Sequence, residues 1–168
     1  MILDVVVDAD PEWDSSIGWA ELAEAAAEAA IAESRFPELA SGPRNVELSV
    51  RLAHDDAVRA LNAEWRGKDK PTNVLSFPLA NETELAAASA DGPELMLGDI
   101  ILARGVCAAE AAEKAVPIDQ HAAHLLVHGT LHLLGYEHED DEAASDMEAR
   151  ETRALARLGI ADPHGEDR

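Results

Sequence analysis

The C-terminal half of the chain contains the stretch His128-Gly-Thr-Leu-His132-Leu-Leu-Gly135-Tyr-Glu-His138. His128 and His132 are four residues apart in an apolar segment with helical spacing, so both imidazoles leave one helix face about one turn apart. Gly135 can take the left-handed conformation that ends a helix, and after the turn His138 can supply a third nitrogen. Three neutral ligands leave a fourth position for water, as in catalytic zinc sites. The stretch therefore predicts a metal-binding helix and a metal-dependent hydrolase.

Two more histidines lie earlier on the same predicted helix, at His124 and His121. A straight helix cannot direct side chains from three successive turns at one ion, so we assign neither of them to the metal. His124 is expected to lie beside the ligands or at the edge of the core. A histidine pair alone is also typical of a packed helix. The glycine and the third histidine in register are what favour a metal site.

The composition is that of a soluble globular protein with one domain, residues 1–168. The chain is 47% hydrophobic and 28% charged. Its 168 residues are enough to form a hydrophobic core that needs no disulfide or other cross-link. Residues 160–168 are expected to form a frayed tail. The chain start does not resemble a signal peptide, and no apolar run is long enough to cross a bilayer, so we expect a cytoplasmic protein. The single cysteine, Cys107, excludes an internal disulfide and is expected to be a buried thiol.

The formal net charge of -21 works against general binding of nucleic acids, so any RNA contact must be local, and no contact with DNA is expected. Along the sequence, cations cluster only at Arg66, Lys68 and Lys70. Arg66 is expected to end a helix, where its charge suits the dipole; beside a metal it could instead hold a phosphate through two parallel hydrogen bonds. Arg66 and Lys68 are the candidate substrate-binding residues, although Lys68 is also explained as an exposed loop charge.

Hydrophobic periodicity predicts a mixed order of strands and helices, with the histidine helix apolar nearly all round and therefore central. Asp55 or Asp56 is expected to cap the second helix, and residues 80–93 to form a mobile loop. The predicted strands are residues 2–7, 45–52, 72–77 and 95–102, and the predicted helices are residues 17–34, a helix from 55 to about 66, 104–115, 119–134 and 141–158.

The chain resembles the YbeY family of bacterial rRNA maturation factors, which are zinc-dependent endoribonucleases. The resemblance lies in residues 66–78, 97–101 and 124–138 and in the spacing of Met147, Glu151 and Leu155. It implies an α/β (α+β) domain, with a four-stranded mixed sheet packed against helices. It also implies that His128, His132 and His138 hold one Zn²⁺ ion and that Arg66 is the positively charged residue of the active site.

The resemblance implies cleavage of single-stranded rRNA in maturation of the 16S rRNA 3′ end and in ribosome quality control. The implied partners are rRNA and the ribosome or its proteins. Two residues depart from the family pattern. Asn73 stands where the family often has Asp, and Glu137 where it usually has Asp. Any role that needs a carboxylate at position 73 is therefore in doubt.

Two other functions fit parts of the pattern. The histidines also match the spacing of zincin-type metallopeptidases, but Gly129 occupies the position of the glutamate that takes the proton from water. Alternatively, a non-catalytic ribosome-assembly factor could use zinc structurally, with Glu137, Glu139 or Asp140 as a fourth ligand. Phosphodiester cleavage needs only the metal and a cation such as Arg66, with either water or the RNA 2′-OH as nucleophile.

Overall fold

The computed structural model describes residues 3–40, 44–87, 93–137 and 139–161. His138 and residues 162–168 of the predicted tail lie outside the described residues. The strands are β1 (Leu3–Ala9), β2 (Val46–Ala53), β3 (Val74–Pro78) and β4 (Leu95–Ala103), and the helices are α1 (Trp19–Ala32), α2 (Asp55–Arg66), α3 (Glu82–Ala86), α4 (Arg104–Lys114), α5 (Ile118–Leu133) and α6 (Asp141–Arg157).

The four strands form one mixed sheet in the order β1-β2-β4-β3. β1, β2 and β4 run parallel to one another, and β3 runs antiparallel to β4 at the edge. The predicted fold class is confirmed: a single α+β domain with a four-stranded mixed sheet.

Successive side chains of β4 point to opposite faces of the sheet. Ile100 and Leu102 belong to the main core, which includes residues of α1, α5 and α6, whereas Ile101 and Ala103 pack with Val58 of α2. Because α5 contacts α1, α4, α6, β3 and β4, the histidine helix is central, as its apolar surface predicted. The histidines and α2 consequently lie on opposite faces of the sheet.

The predicted cap of α2 is wrong. His54 is the N-cap residue, and its Nδ1 accepts a hydrogen bond from the Ala57 amide at 3.2 Å. Asp55 lies in the first turn instead, and its Oδ1 accepts bonds from the Gly105 and Val106 amides at 2.8 and 3.2 Å. Asp55 thereby caps α4, whose own N-cap residue, an alanine, offers no side-chain acceptor.

The predicted loop 80–93 contains the short helix α3. The Asn81 side chain accepts from the Glu84 amide, and the Glu84 side chain accepts from the Asn81 amide, which is a capping box. This local signal outweighs the acidic and small-residue composition that favoured a loop. Residues 88–92 of the predicted loop lie outside the described residues.

Cys107 is fully buried on α4, as predicted. Burial raises the pKa of its thiol to about 12, with a further contribution from the negative charge of Glu110. Because the thiolate is the nucleophile, this cysteine is inert. Within the described ranges, no helix has both the length and the apolar character needed to cross a membrane.

Candidate metal centre

Two imidazoles of α5 converge on one point. The Nε2 atoms of His128 and His132 are 2.9 Å apart, and the ring planes are nearly perpendicular. The side chains are 24% and 19% exposed, so a small ion can reach both rings from solvent. Their separation of one helical turn places them on the same face, as the sequence predicted.

The partners of the two Nδ1 atoms fix the protonation of both rings. The Nδ1 atom of His128 donates to Oε2 of Glu151 at 2.9 Å, and that of His132 donates to the carbonyl oxygen of Tyr136 at 2.8 Å. A carboxylate and a carbonyl only accept, so each Nδ1 must carry the proton. In a neutral ring, this tautomer leaves the lone pair at Nε2. Two such nitrogens, 2.9 Å apart and facing the same point, are placed to bind one cation together.

Glu151 of α6 is buried, with 2% of its side chain exposed. Its Oε1 also accepts a hydrogen bond from Nε2 of His124 at 2.8 Å. Burial by itself would raise the pKa of Glu151, but the hydrogen bonds from His124 and His128 outweigh it and hold the pKa well below its usual range. The carboxylate is therefore ionised at neutral pH and orients the His128 ring, as carboxylates do behind metal-binding histidines.

The orienting role of Glu151 was not recognised in the sequence, although a signal for it exists. Met147, Glu151 and Leu155 recur at intervals of four and are all buried, so the glutamate sits on the apolar face of α6. A carboxylate on such a face needs a partner with a proton to donate. The histidines of α5 are suitable donors.

A second carboxylate pairs with His121. Oε1 of Glu110 lies 2.8 Å from Nε2 of His121 and accepts from Nδ2 of Asn73 at 3.1 Å. Burial lowers the pKa of His121, which Glu110 only partly offsets. An aspartate at position 73 would bring a second negative charge against Glu110, whereas the amide of Asn73 donates to it. The departure at position 73 is therefore accommodated by a hydrogen bond.

The turn after α5 has the predicted backbone. Gly135 has a φ of +94°, in the region that favours glycine. The side chain of Glu137 is 57% exposed and lies 3.7 Å from Nδ1 of His132. The predicted third ligand, His138, lies outside the described residues, and the described residues hold no group of three side chains that could bind a metal. The donor chemistry of the His128–His132 pair nevertheless fits a zinc ion.

Gly129 packs closely against β3 and β4. A Cβ atom at this position would lie 3.0 Å from Cγ2 of Ile100 and 3.2 Å from Oγ of Ser76. A glutamate here would therefore be driven into β3 and β4, so the site has no room for the acid–base group of a zincin-type peptidase. Ser76 is buried at this contact, which gives it a packing role.

Arg66 and Lys68 lie at the C-terminal end of α2 and just beyond it. Arg66 is the last residue of α2, as predicted, and α2 covers the opposite face of the sheet. Both side chains are exposed, and neither forms a side-chain hydrogen bond or an ion pair with any described residue. The substrate-binding role of the two residues stays a prediction.

A groove runs along the exposed side of α5. A depression of about 190 Å³ is lined by His128, His124, Leu125 and Asn73, among others. It adjoins a wider cavity of about 760 Å³ that shares the last three of these residues and extends to His121. His128 therefore opens onto a groove that extends along α5 to His121.

Comparisons with known proteins agree with this architecture. The family model described as endoribonuclease YbeY matches residues 11–159. The endoribonuclease YbeY of Novosphingobium aromaticivorans is 56% identical over 160 residues, 94% of this chain and 93% of the relative. That of Rhizorhabdus wittichii is 49% identical over 164 residues and 97% of either chain. The solution structure of TM1509 from Thermotoga maritima shares the fold, with a TM-score of 0.54 at 22% identity over 96% of this chain and 98% of that one. The chain therefore belongs to the endoribonuclease YbeY family.

Proposed function

We propose that this chain is a zinc-dependent endoribonuclease that cleaves single-stranded rRNA in the cytoplasm. Membership of an endoribonuclease family supports an enzyme that cuts phosphodiester bonds of RNA. Zinc dependence is supported by the facing Nε2 lone pairs of His128 and His132, and this observation carries the proposal. The proposed setting, which follows the family resemblance, is maturation of the 16S rRNA 3′ end and ribosome quality control, with ribosomal proteins as partners.

One zinc ion would be held by His128, His132 and His138, which leaves a position for water or a phosphate oxygen. When bound, zinc supplies a Lewis acid for a phosphoryl oxygen and lowers the pKa of a bound water to about 7. Glu151 keeps the His128 ring in the orientation and tautomer that this ligand set needs. Arg66 would stabilise the negative charge that develops on the phosphate, and Lys68 would bind the neighbouring backbone.

Cleavage of a single-stranded fragment from the 3′ end of 16S rRNA tests this proposal. Zinc-loaded protein is expected to cut the fragment, and protein treated with a chelator is not. Arg66→Ala is expected to lower kcat/KM about 100-fold, the loss typical of one charge-stabilising group, whereas Arg51→Ala, an exposed arginine of β2, should not. Equal cutting with and without zinc would refute zinc dependence. No cutting by folded, zinc-loaded protein would favour an assembly factor with a structural ion.

Replacing Glu151 by glutamine is expected to weaken zinc binding about 10- to 100-fold. This is the typical loss when a residue that hydrogen-bonds to a metal ligand is replaced. The amide retains only one acceptor oxygen, so His124 or His128 loses its bond to the carboxylate. Zinc affinity is measured by competition with a coloured chelator, which needs no substrate. Glu142→Gln, an exposed residue in the first turn of α6, is the control and should bind zinc normally. Unchanged affinity in Glu151→Gln would contradict the orienting role.

A further inference from the structure

Four arginines from distant parts of the sequence meet near the C-terminal end of α1. They are Arg35, Arg150, Arg153 and Arg157, and we call them the arginine cluster. The expectation that cations cluster only at residues 66–70 is therefore wrong. The chain has 13 lysines and arginines, so nearly a third of its positive side chains are in this cluster. The arginine cluster is not evident in the sequence, because three of its members are spaced three or four residues apart along α6. The fourth, Arg35, belongs to the segment that follows α1.

Part of the cluster stabilises the fold. The Nε atoms of Arg153 and Arg157 donate to Glu33 at 2.9 and 2.6 Å, and Nη1 of Arg150 donates to the carbonyl oxygen of Glu33 at 2.7 Å. Arg150 also pairs with Asp146. The four guanidinium groups form ion pairs with only two carboxylates of the described residues, Glu33 and Asp146, so the cluster has two more cations than ion-paired carboxylates. A favourable interaction with the dipole at the C-terminal end of α1 does not need so many cations, and the chain as a whole has a net charge of -21.

The arginine cluster is connected to the histidine pair through Tyr136. The guanidinium groups of Arg35 and Arg150 pack against the phenol ring of Tyr136. Their Cζ atoms lie 4.7 and 4.9 Å from the ring centroid. The backbone carbonyl of the same tyrosine accepts the proton of His132 Nδ1. A single residue therefore separates the cluster from the proposed metal ligands.

We propose that the arginine cluster binds phosphate groups of the single-stranded RNA whose scissile phosphate lies at the histidine pair. This inference rests on the proposed function, because it takes RNA as the substrate. The side chains of Arg153 and Arg157 are 53% exposed, and within the described part of the chain each uses only Nε for its hydrogen bond. Their outer nitrogens remain donors for phosphate oxygens, which guanidinium groups bind in pairs. A local positive surface also lets a polyanion approach an otherwise acidic protein.

RNA binding as a function of salt concentration tests the arginine cluster. A fluorescent single-stranded RNA from the 16S 3′ end is titrated with full-length protein in excess chelator, so that the RNA stays intact. Arg153→Gln/Arg157→Gln is expected to weaken binding about tenfold at low salt. The slope of log K against log salt should become shallower by about 1.4, which is 0.7 for each of two lost phosphate contacts. Arg51→Gln/Arg59→Gln removes the same charge elsewhere; Arg59, like Arg153, is half-exposed and paired with a carboxylate, Asp69.

The outcomes separate this inference from the proposed activity. Normal binding by the control variant and weak binding by the cluster variant support the arginine cluster. Equal binding and equal salt slopes in the two double variants would overturn it, as would a wild-type protein that does not bind RNA. The same RNA is then incubated with zinc-loaded protein. Binding without cleavage would refute the proposed nuclease and leave the arginine cluster standing. Circular dichroism confirms that each variant is folded.

Discussion

Replacing His128 by asparagine is expected to abolish tight zinc binding and RNA cleavage while leaving the fold intact. The asparagine amide occupies about the place of Nδ1, so it can still donate to Glu151, but it lacks the Nε2 ligand. In structural zinc sites, binding of about 10–16 kcal/mol is shared among four protein ligands, so one ligand contributes roughly 2.5–4 kcal/mol. The affinity should therefore fall by a factor of several hundred. Chelator competition measures the affinity, and thermal unfolding checks the fold.

His124→Gln is the matched control for this prediction. His124 meets Glu151 through Nε2, and the glutamine amide can reach about the same position. This variant should retain zinc, because we assign His124 no ligand role. Zinc binding of wild-type strength in His128→Asn would remove His128 from the ligand set. Loss of zinc in His124→Gln alone would exchange the roles of the two histidines.

Replacing Gly98 by alanine is expected to lower the free energy of unfolding by about 3–5 kcal/mol, a large part of the stability of a typical domain. Gly98 has a φ of +143°, a conformation that side chains rarely adopt. An added Cβ atom would clash with the carbonyl oxygen of Phe77 and would lie 2.9 Å from Cδ2 of Leu133. The variant would therefore separate β3 from β4 and push against the end of α5, beside His132. Urea denaturation measures the change.

Gly159→Ala separates backbone strain from crowding in that experiment. Gly159 has a φ of +74°, but no heavy atom would lie within 4 Å of its added Cβ atom. Only the cost of the left-handed conformation remains, about 1–2 kcal/mol. Similar losses in the two variants would show that the close approach at Gly98 contributes little.

Local patterns predicted much of this fold. The alternation in β2 and β4 and the apolar surface of α5 give elements whose bounds differ from the expected ones by a few residues. The cap of α2 was mispredicted because Asp55 bonds to amides about 50 residues away. Sequence spacing carries no information about such a partner. The strand order, which puts β4 between β2 and β3, is likewise set by packing across the whole chain.

In the candidate site, too, local geometry was predictable from the sequence and contacts between helices were not. The spacing of His128 and His132 on one helix predicted their convergence, since a helix fixes the geometry of residues four apart. The partner of His128 is on another helix, 23 residues away, and the four guanidinium groups come from two segments. Such arrangements depend on how helices pack. A sequence shows them only indirectly, as a charged residue on a buried face or as a repeat along one helix.

The bond between Glu151 and His128 also sets when the site becomes complete during synthesis of the polypeptide. The histidines of α5 leave the ribosome before α6, and until α6 docks no carboxylate orients the His128 ring. A nascent chain that ends before α6 lacks the carboxylate partner of His128, and we expect it to bind a metal ion more weakly. Under the proposed zinc dependence, tight metal binding would therefore wait until α6 has docked.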